Sequence, residues 1–316
     1  MARATQNNFN GGITSNIREA TSTKAHVISK FDINTHRDRA LPTFDTGANG
    51  GSETKKIVNV TVGEGADFLW GLGTKVSDTP FAIFQADVVG GWTDGEGTFE
   101  AGSATAEPYS FMAYNDYIYG LGSLGNWRYG PLTGSETVTQ SYQALTLATG
   151  SGTNGVIHPD DDNLYFAYYN SGARVLSNDG GVITNAALAL PTNRFPMSIA
   201  AYGNYLAIGC RSTTATGQDK STEDSVVYLW NRVDTDVTES IDFGNGQLKV
   251  LAEVGGELIG IVQEEDHNSQ TFIHIKRFIG NREVETLFTL ADDDPSETGN
   301  GTHLTPAKFV RNNTLL

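Results

Sequence analysis

The stretch YSFMAYNDYIYG, residues 109–120, decides the fold. Two apolar runs rich in aromatic residues flank a polar turn at Asn115-Asp116, and the second run ends in Gly120. Aromatic and β-branched residues favour strands, and a short polar turn between two such runs is typical of a hairpin. The stretch therefore predicts a pair of antiparallel, largely buried β-strands.

The same pattern recurs along the chain, which gives six predicted strand pairs: residues 58–62 with 67–71, 109–113 with 116–120, 156–157 with 163–167, 197–201 with 204–208, 248–252 with 257–261, and 307–310 with 313–316. The turn residues of successive pairs are Asp67, Asp116, Asn163, Asn204, Glu257 and Asn313, which are 49, 47, 41, 53 and 56 positions apart. Blades of β-propellers repeat at roughly 40 to 50 residues.

Further strands follow each pair. Residues 81–84, 226–230 and 272–275 are predicted third strands, and residues 142–147 and 285–290 are predicted fourth strands. The later strands mix in Lys276, Arg277 and Glu285, as outer, half-exposed strands do, whereas the first two strands of each unit are apolar nearly throughout. The prediction is an all-β chain, a β-propeller of about six four-stranded blades that forms a single domain over residues 24–316.

The sixth unit reaches Leu316 after its second strand, which would leave sheet edges open. Residues 25–33 and 40–44 lie outside the six-fold pattern and are apolar. We expect these N-terminal strands to complete the last blade, with Val27, Ile28, Phe31 and Ile33 as the closure residues. A seven-bladed propeller, or an incomplete one continued beyond residue 316, is the alternative.

Composition excludes several classes of function. The chain has 21 Lys and Arg against 37 Asp and Glu, a formal net charge of −16, and no basic stripe, so direct nucleic-acid binding is not expected. Cys210 is the single cysteine and stands in an apolar run, which indicates a buried free thiol. No signal peptide and no apolar window of about 18 residues is present, so no membrane insertion is predicted.

The candidate chemical motifs are better interpreted as turns. The sequence GLGSLG at residues 120–125 fits a dinucleotide fingerprint, but NWRYGP follows it and cannot open the required helix. SNDGG at residues 177–181 partly matches the turn-stabilising Asp-box of sialidase-like propellers. The acidic runs at residues 158–162 and 292–294 lack the calcium-loop spacing and are predicted to be solvated turns.

The six histidines show no zinc-binding spacing, and no G-x-S-x-G occurs. The sequence therefore predicts no catalytic residue, no metal and no cofactor, and a protein that is not an enzyme.

Residues 8–14, NFNGGIT, with AHVISKFDI at residues 25–33 and Leu41-Pro42, resemble the opening of tail and connector-associated virion proteins of tailed bacteriophages. The resemblance implies a structural role in the tail nozzle, hub or ring of a virion assembled in the host cytoplasm. Its partners would be further copies of the chain and neighbouring virion proteins. Residues 1–23 would form an extended arm that reaches a neighbour, anchored by Phe9 and Ile13.

Two other classes of function stay open. A carbohydrate- or protein-binding propeller, acting as a receptor binder or adhesin, would use exposed tryptophans such as Trp92 and Trp127 as stacking platforms. A glycosidase-type propeller enzyme would need a pair of carboxylates facing a cleft.

Overall fold

The structure is a computed structural model. It describes residues 108–122, 125–133, 136–143, 145, 147, 152–213, 224–265 and 271–292, and elsewhere chiefly the backbone of short strands. The chain divides into two compact units, residues 1–96 and residues 97–316. The boundary of the N-terminal arm at residue 23 lies outside the described residues and stays a prediction.

In the unit of residues 1–96, the described strands are β1 (Ile13–Thr14), β2 (Ala25–His26), β3 (Phe31–Ile33), β4 (Ala40–Pro42), β5 (Lys56–Val62), β6 (Phe68–Thr74), β7 (Phe81–Asp87) and β8 (Gly91–Trp92). β1 pairs with β2 in parallel, and β3 pairs with β4 in antiparallel orientation. β5, β6, β7 and β8 pair in that order and are called sheet I.

In the unit of residues 97–316, β9 (Gly97–Thr98) precedes four sheets, each of four antiparallel strands in chain order. Sheet II is β10 (Pro108–Tyr114), β11 (Tyr117–Gly122), β12 (Gly125–Gly130) and β13 (Thr137–Gln143); sheet III is β14 (Val156–Ile157), β15 (Leu164–Tyr169), β16 (Ala173–Asp179) and β17 (Val182–Ala189). Sheet IV is β18 (Arg194–Tyr202), β19 (Tyr205–Ser212), β20 (Asp224–Trp230) and β21 (Glu239–Asn245); sheet V is β22 (Gln247–Val254), β23 (Glu257–Glu265), β24 (Thr271–Gly280) and β25 (Glu283–Asp292). β26 (Val310–Arg311) then pairs with β27 (Thr314–Leu315).

All six predicted hairpins are present as antiparallel first and second strands. The predicted fourth strand at residues 142–147 is wrong in position, because β13 spans Thr137–Gln143. Its first residues include the β-branched Thr137, Val138 and Thr139, which suit an extended strand.

Successive sheets pack face to face within residues 97–316. One buried cluster joins Tyr119 of sheet II to Phe166 of sheet III, the next joins Val175 of sheet III to Ile208 of sheet IV, and a third joins Phe243 of sheet IV to Leu258 of sheet V. Inner strands are buried and outer strands are more exposed, as predicted: β15 is buried over five of its six residues, whereas β17 alternates between exposed and half-buried positions over its first six residues. The described strands are therefore those of an all-β protein, and residues 97–316 contain stacked four-stranded antiparallel sheets, the construction of propeller blades.

The first strands of four sheets contain a register shift that the sequence pattern does not predict. A register shift interrupts the pairing of first and second strands between Ile57 and Asn59, Pro108 and Ser110, Pro196 and Ser198, and Leu248 and Val250. A β-bulge bends its strand and increases the local twist. Its recurrence in four sheets supports the interpretation of these sheets as copies of one unit.

Glycines inside the second strands allow close packing of neighbouring sheets. A Cβ on Gly209 of sheet IV would lie 2.0 Å from Cδ2 of Leu248 in sheet V, and a Cβ on Gly260 of sheet V would lie 2.6 Å from Cε1 of Phe243 in sheet IV. These glycines lie within their strands rather than at the strand ends that the repeat pattern suggested. Large apolar side chains from the adjacent sheet occupy the space that a side chain would need.

Among the described residues, no helix has the length and apolar character needed to cross a bilayer.

Candidate functional site

Each four-stranded sheet has one end at which two of its three strand connections lie. In an antiparallel sheet of four consecutive strands, the connection between strands one and two (the inner turn) and the connection between strands three and four (the outer turn) fall at the same end. The outer turns of sheets III, IV and V each contact the preceding sheet. These contacts are polar interactions between successive sheets.

Arg232 in the outer turn of sheet IV makes the most extensive of these contacts. Its Nε donates to Oδ2 of Asp161 at 2.8 Å and its Nη2 donates to Oδ2 of Asp160 at 3.2 Å, both in the inner turn of sheet III. Its Nη1 donates to the carbonyl of Asn204 at 3.0 Å. The side chain is only 10% exposed, and the backbone holds a φ of 70°, in the left-handed region. A non-glycine residue in that region is conformationally unfavourable and persists where surrounding contacts hold it.

His158 lies beneath this cluster, fully buried. Its Nδ1 lies 3.2 Å from the backbone N of Asp160, and its Nε2 lies 3.1 Å from the carbonyl oxygen of Tyr205 and 2.5 Å from Nη1 of Arg232. Burial and the adjacent charge of Arg232 lower the pKa of His158. The fold therefore favours the neutral imidazole.

The carboxylate of Asp161 is held in its ionised form. Burial on its own would raise the pKa of Asp161, but hydrogen bonds from the Tyr165 hydroxyl, the Asn163 N–H and Arg232 outweigh it and lower that pKa. The Tyr165 hydroxyl donates to Oδ2 at 2.8 Å. Asp161 thus ties the inner turn of sheet III to sheet IV and to its own second strand.

We expect Arg232→Ala to destabilise the protein by about 1–3 kcal/mol, because His158 and Asp161 lose a buried hydrogen-bonding partner. The pair with Asp160 adds little, since that carboxylate is 45% exposed. Urea unfolding measures the change, with Arg232→Lys as the control that keeps one charged donor. An equal free energy of unfolding for Arg232→Ala and the parent protein would show that the contacts of Arg232 do not contribute to stability.

Stability should fall as the solution is acidified, in two steps. A lowered folded pKa means that the unfolded chain binds protons first, so His158 reduces stability as pH falls below 6.5 and Asp161 does so below 3.8. Unfolding free energies measured from pH 8 to pH 3 test this. His158→Gln should flatten the upper step and leave the lower one, and an unchanged upper step in that variant would contradict the assignment.

The outer turns of sheets III and V also contact the preceding sheet, through different residues. Arg282, in the outer turn of sheet V, also has a positive φ of 62°, and its Nε donates to Oε1 of Glu239 in sheet IV at 3.1 Å. In sheet III the outer turn is Gly180-Gly181: the N–H of Gly180 donates to the Tyr114 hydroxyl of sheet II, and the Tyr142 hydroxyl donates to the Gly181 carbonyl, both at 3.0 Å. Each outer turn therefore anchors its sheet to the sheet before it.

The face of sheet V that points away from sheet IV is apolar and partly uncovered. Phe278 packs on Tyr202 of sheet IV, so Ile273 and Ile275, which alternate with it along β24, lie on the opposite face. Ile273 is paired with Leu290 and Ile275 with Phe288, and these two partners are 46% and 54% exposed. We call Ile273, Ile275, Phe288 and Leu290 the outer apolar face.

Two glutamates, Glu257 and Glu285, border the outer apolar face at the end of sheet V where its inner and outer turns lie. Arg277 is opposite Ile259 and shares the orientation of Ile273 and Ile275 on β24. Its guanidinium bridges Glu257 and Glu285, with N–O distances of 2.9 and 2.7 Å. Both carboxylates are 48% exposed, so two acids share one arginine at this edge.

The predicted closure and arm residues fall mostly beyond the part that the structure describes. Phe9, Val27 and Ile28 lie outside the described residues. Ile13 lies in β1 and Phe31 and Ile33 lie in β3, for which only the backbone is described. Closure by these residues stays a prediction.

The motif interpretations that fall on described residues are confirmed. GLGSLG is a strand end and turn, with Gly122 paired to Gly125, and the Asp-box-like stretch is a turn in which Asn178 Oδ1 accepts the N–H of Gly181 at 2.7 Å. Cys210 is buried, and burial raises the pKa of its thiol. The run at residues 158–162 is a turn with residues 159–162 exposed, as predicted, although His158 is buried and Arg232 pairs with Asp160 and Asp161.

Trp127 is not the exposed stacking platform that a glycan binder would use. It is 1% exposed, and its indole lies against Gly120, where an added Cβ would be 2.3 Å from Cζ2. The side chain of Trp92 lies outside the described residues. Within the described ranges, no three His, Cys, Asp or Glu side chains converge as metal ligands would.

Comparison with known proteins supports the fold alone. No protein-family profile matches the chain, and no curated protein matches it in sequence. The extracellular domain of a two-component system protein from B. thetaiotaomicron is similar over 85% of this chain and 32% of its own, with 13% identity and a TM-score of 0.54. This chain thus spans about a third of that structure.

An arginine triple mutant of AofleA from Arthrobotrys oligospora is similar over 85% of this chain and 83% of its own, with 10% identity and a TM-score of 0.50. The Cps50 (Swd1) β-propeller domain from Myceliophteria thermophila covers 75% of this chain and 74% of its own, with 13% identity and a TM-score of 0.47. At such identities the likeness concerns the fold and carries no activity or partner to this chain.

Proposed function

We propose that this chain is a structural component of a phage virion, a part of the tail nozzle, hub or ring that assembles through its propeller body and its N-terminal arm. The opening of the sequence supports this proposal through its resemblance to phage tail proteins. Buried contacts and ion pairs join the successive sheets of residues 97–316, as a structural scaffold requires. The role is structural rather than catalytic.

One observation carries the assembly role. One branched aliphatic side chain is exposed in or beside the outer turn of each of three consecutive sheets: Val182 at the start of β17 is 73% exposed, Val233 between β20 and β21 is 86% exposed, and Ile279 near the end of β24 is 53% exposed. We call these three residues the aliphatic rim. Isolated exposed apolar residues are common, but their repetition at the same connection of successive sheets suits a regular contact with a neighbouring subunit.

The fold proposal behind this function is a propeller of about six blades whose last blade is completed by the N-terminal strands. β26 and β27 lie close to β22 and would be the inner pair of that blade. The hairpin of β3 and β4 has the two antiparallel strands that the blade still needs. The partly uncovered outer apolar face of sheet V supports this proposal, since a following blade would cover it.

Substituting the rim with aspartate should abolish association and leave the folded subunit intact. The triple variant Val182→Asp, Val233→Asp, Ile279→Asp places three charges in the proposed contact, but these positions are exposed in the subunit and contribute little to its stability. Sedimentation velocity gives the assembly state, and thermal unfolding gives the melting temperature.

The matched control is Thr184→Asp, Ser240→Asp, Thr286→Asp, which adds the same charge at exposed strand positions of the same three sheets. It should assemble as the parent does. Assembly that survives the rim substitutions would remove the observation on which the proposal rests. Mass spectrometry of purified virions, or portal and tail genes beside its own, tests the virion role itself.

A further inference from the structure

Arg128 of sheet II lies over two tyrosine rings and pairs with no acid in the described part of the chain. Its guanidinium carbon is 4.6 Å from the ring centroid of Tyr117 and 4.0 Å from that of Tyr142. Four other arginines each pair with an Asp or Glu: Arg194, Arg232, Arg277 and Arg282. The chain has 37 Asp and Glu against 21 Lys and Arg, so the lack of an acid partner at Arg128 needs a physical explanation.

The polar groups around Arg128 are rich in hydrogen-bond donors. Arg128 is opposite Tyr119 in sheet II, and the Tyr119 hydroxyl interacts with Arg128 and with Asn178 of sheet III. Burial raises the pKa of Tyr119, so this hydroxyl keeps its proton. Asn178 is fully buried; its Oδ1 accepts the N–H of Gly181, but its Nδ2 makes no hydrogen bond among the described residues. A guanidinium and an amide therefore offer more donor hydrogens than the Tyr119 oxygen can accept.

The donors lie beside the outer turn of sheet III, which borders solvent. The Tyr142 hydroxyl donates to the Gly181 carbonyl at 3.0 Å. A Cβ on Gly181 would come no nearer than 3.6 Å to the hydroxyl oxygen of Tyr142 and 3.8 Å to that of Tyr119. A Cβ on the exposed Gly180 would meet no atom within 4 Å. The two glycines thus leave open space between the tyrosine hydroxyls and solvent.

We propose that Arg128, the Tyr119 hydroxyl and Nδ2 of Asn178 bind a small carboxylate between sheets II and III, and we call these three residues the carboxylate site. The tyrosine rings attract the guanidinium but leave most of its five N–H donors available. A carboxylate is planar and accepts two parallel hydrogen bonds from one edge of a guanidinium. Its charge would balance that of Arg128, and its remaining lone pairs would accept hydrogen bonds from Tyr119 and Asn178.

Thermal unfolding of the full-length chain in sodium acetate tests the carboxylate site, with sodium chloride at equal ionic strength as the reference. A ligand that binds only the folded protein raises its melting temperature, so we expect a saturable rise of roughly 2–4 °C at about ten times Kd. Arg128→Gln should abolish this rise. Tyr119→Phe keeps the ring and removes one donor, so it should raise the Kd of acetate roughly ten-fold, and it provides the test if Arg128→Gln does not fold.

Arg174→Gln is the matched control. Arg174 is a half-buried arginine of sheet III that donates to the Asn170 carbonyl at 3.4 Å and, like Arg128, forms no ion pair with the described acids. Its variant should respond to acetate as the parent does. Three results would each overturn the carboxylate site: no saturable response in the parent, an unchanged Kd in Tyr119→Phe, or a response to sodium sulfate as large as that to acetate.

Sedimentation velocity separates the two sources of such a carboxylate, a free small molecule and an acidic side chain of a neighbouring copy. Assembly that is lost in Arg128→Gln but kept in Arg174→Gln would assign the ligand to a neighbouring copy. Unchanged assembly together with a lost acetate response would assign it to a free carboxylate. Neither result depends on the aliphatic rim, so loss of the rim proposal would leave the carboxylate site standing.

Discussion

Deleting residues 1–45 should unfold or aggregate the protein. If β3 and β4 complete the last blade, the deletion removes the apolar contacts of Val27, Ile28, Phe31 and Ile33 and uncovers the outer apolar face of sheet V. Each such side chain contributes roughly 1.5–3 kcal/mol when buried, so four of them rival the ~5–15 kcal/mol net stability of a typical domain. Circular dichroism and size-exclusion chromatography measure the loss.

Deleting only residues 1–20 is the matched comparison. It removes the polar arm with its anchors Phe9 and Ile13 but keeps the proposed closing strands, so the subunit should keep its melting temperature and fail to join its neighbour. A longer deletion that melts like the intact chain would place the N-terminal strands outside the last blade. Closure would then need residues beyond 316 or another subunit.

The second large effect is expected at the interface between sheets III and IV. Trp230 is 2% exposed, packs edge-on against Tyr165 with ring centroids 6.1 Å apart, and donates from Nε1 to the carbonyl of Asp234 at 2.7 Å. Trp230→Ala leaves a large cavity in this buried cluster and should cost about 3–5 kcal/mol. Urea unfolding monitored by circular dichroism gives the value.

Trp230→Phe is the control for this substitution. It fills most of the cavity and loses the single hydrogen bond, so its effect should be well under half that of Trp230→Ala. A loss below about 1 kcal/mol for Trp230→Ala would mean that sheets III and IV are not held together by this cluster. The packing of successive sheets as blades would then need another basis.

The strands were predictable because the signals that define them are local. Runs such as YSFMA and DYIYG combine aromatic side chains with a polar turn, and this pattern places all six hairpins within a few residues of their observed bounds. Exact bounds were not predictable, since β13 begins at Thr137, five residues before the apolar run that suggested it. Polar but β-branched residues extend a strand without adding apolar character.

The side-chain contacts between strands and between sheets could not be predicted in the same way. Arg232 lies more than 70 residues from Asp160 and Asp161, and no short-range pattern marks an arginine that meets acids of another sheet. The burial of Trp127 depends on Gly120, its cross-strand partner, which leaves room for the indole. A prediction from the sequence of one strand identifies the tryptophan but not the space beside Gly120 that accommodates its indole.

An experimental structure of the intact chain, by crystallography or electron microscopy, tests the central claim most directly. The account predicts about six radial four-stranded sheets around one channel, lined by the six hairpins around Asp67, Asp116, Asn163, Asn204, Glu257 and Asn313. It further predicts that β3 and β4 extend the pair of β26 and β27 against sheet V. Two stacked sandwiches, or an open row of sheets with Phe288 and Leu290 left in solvent, would contradict it.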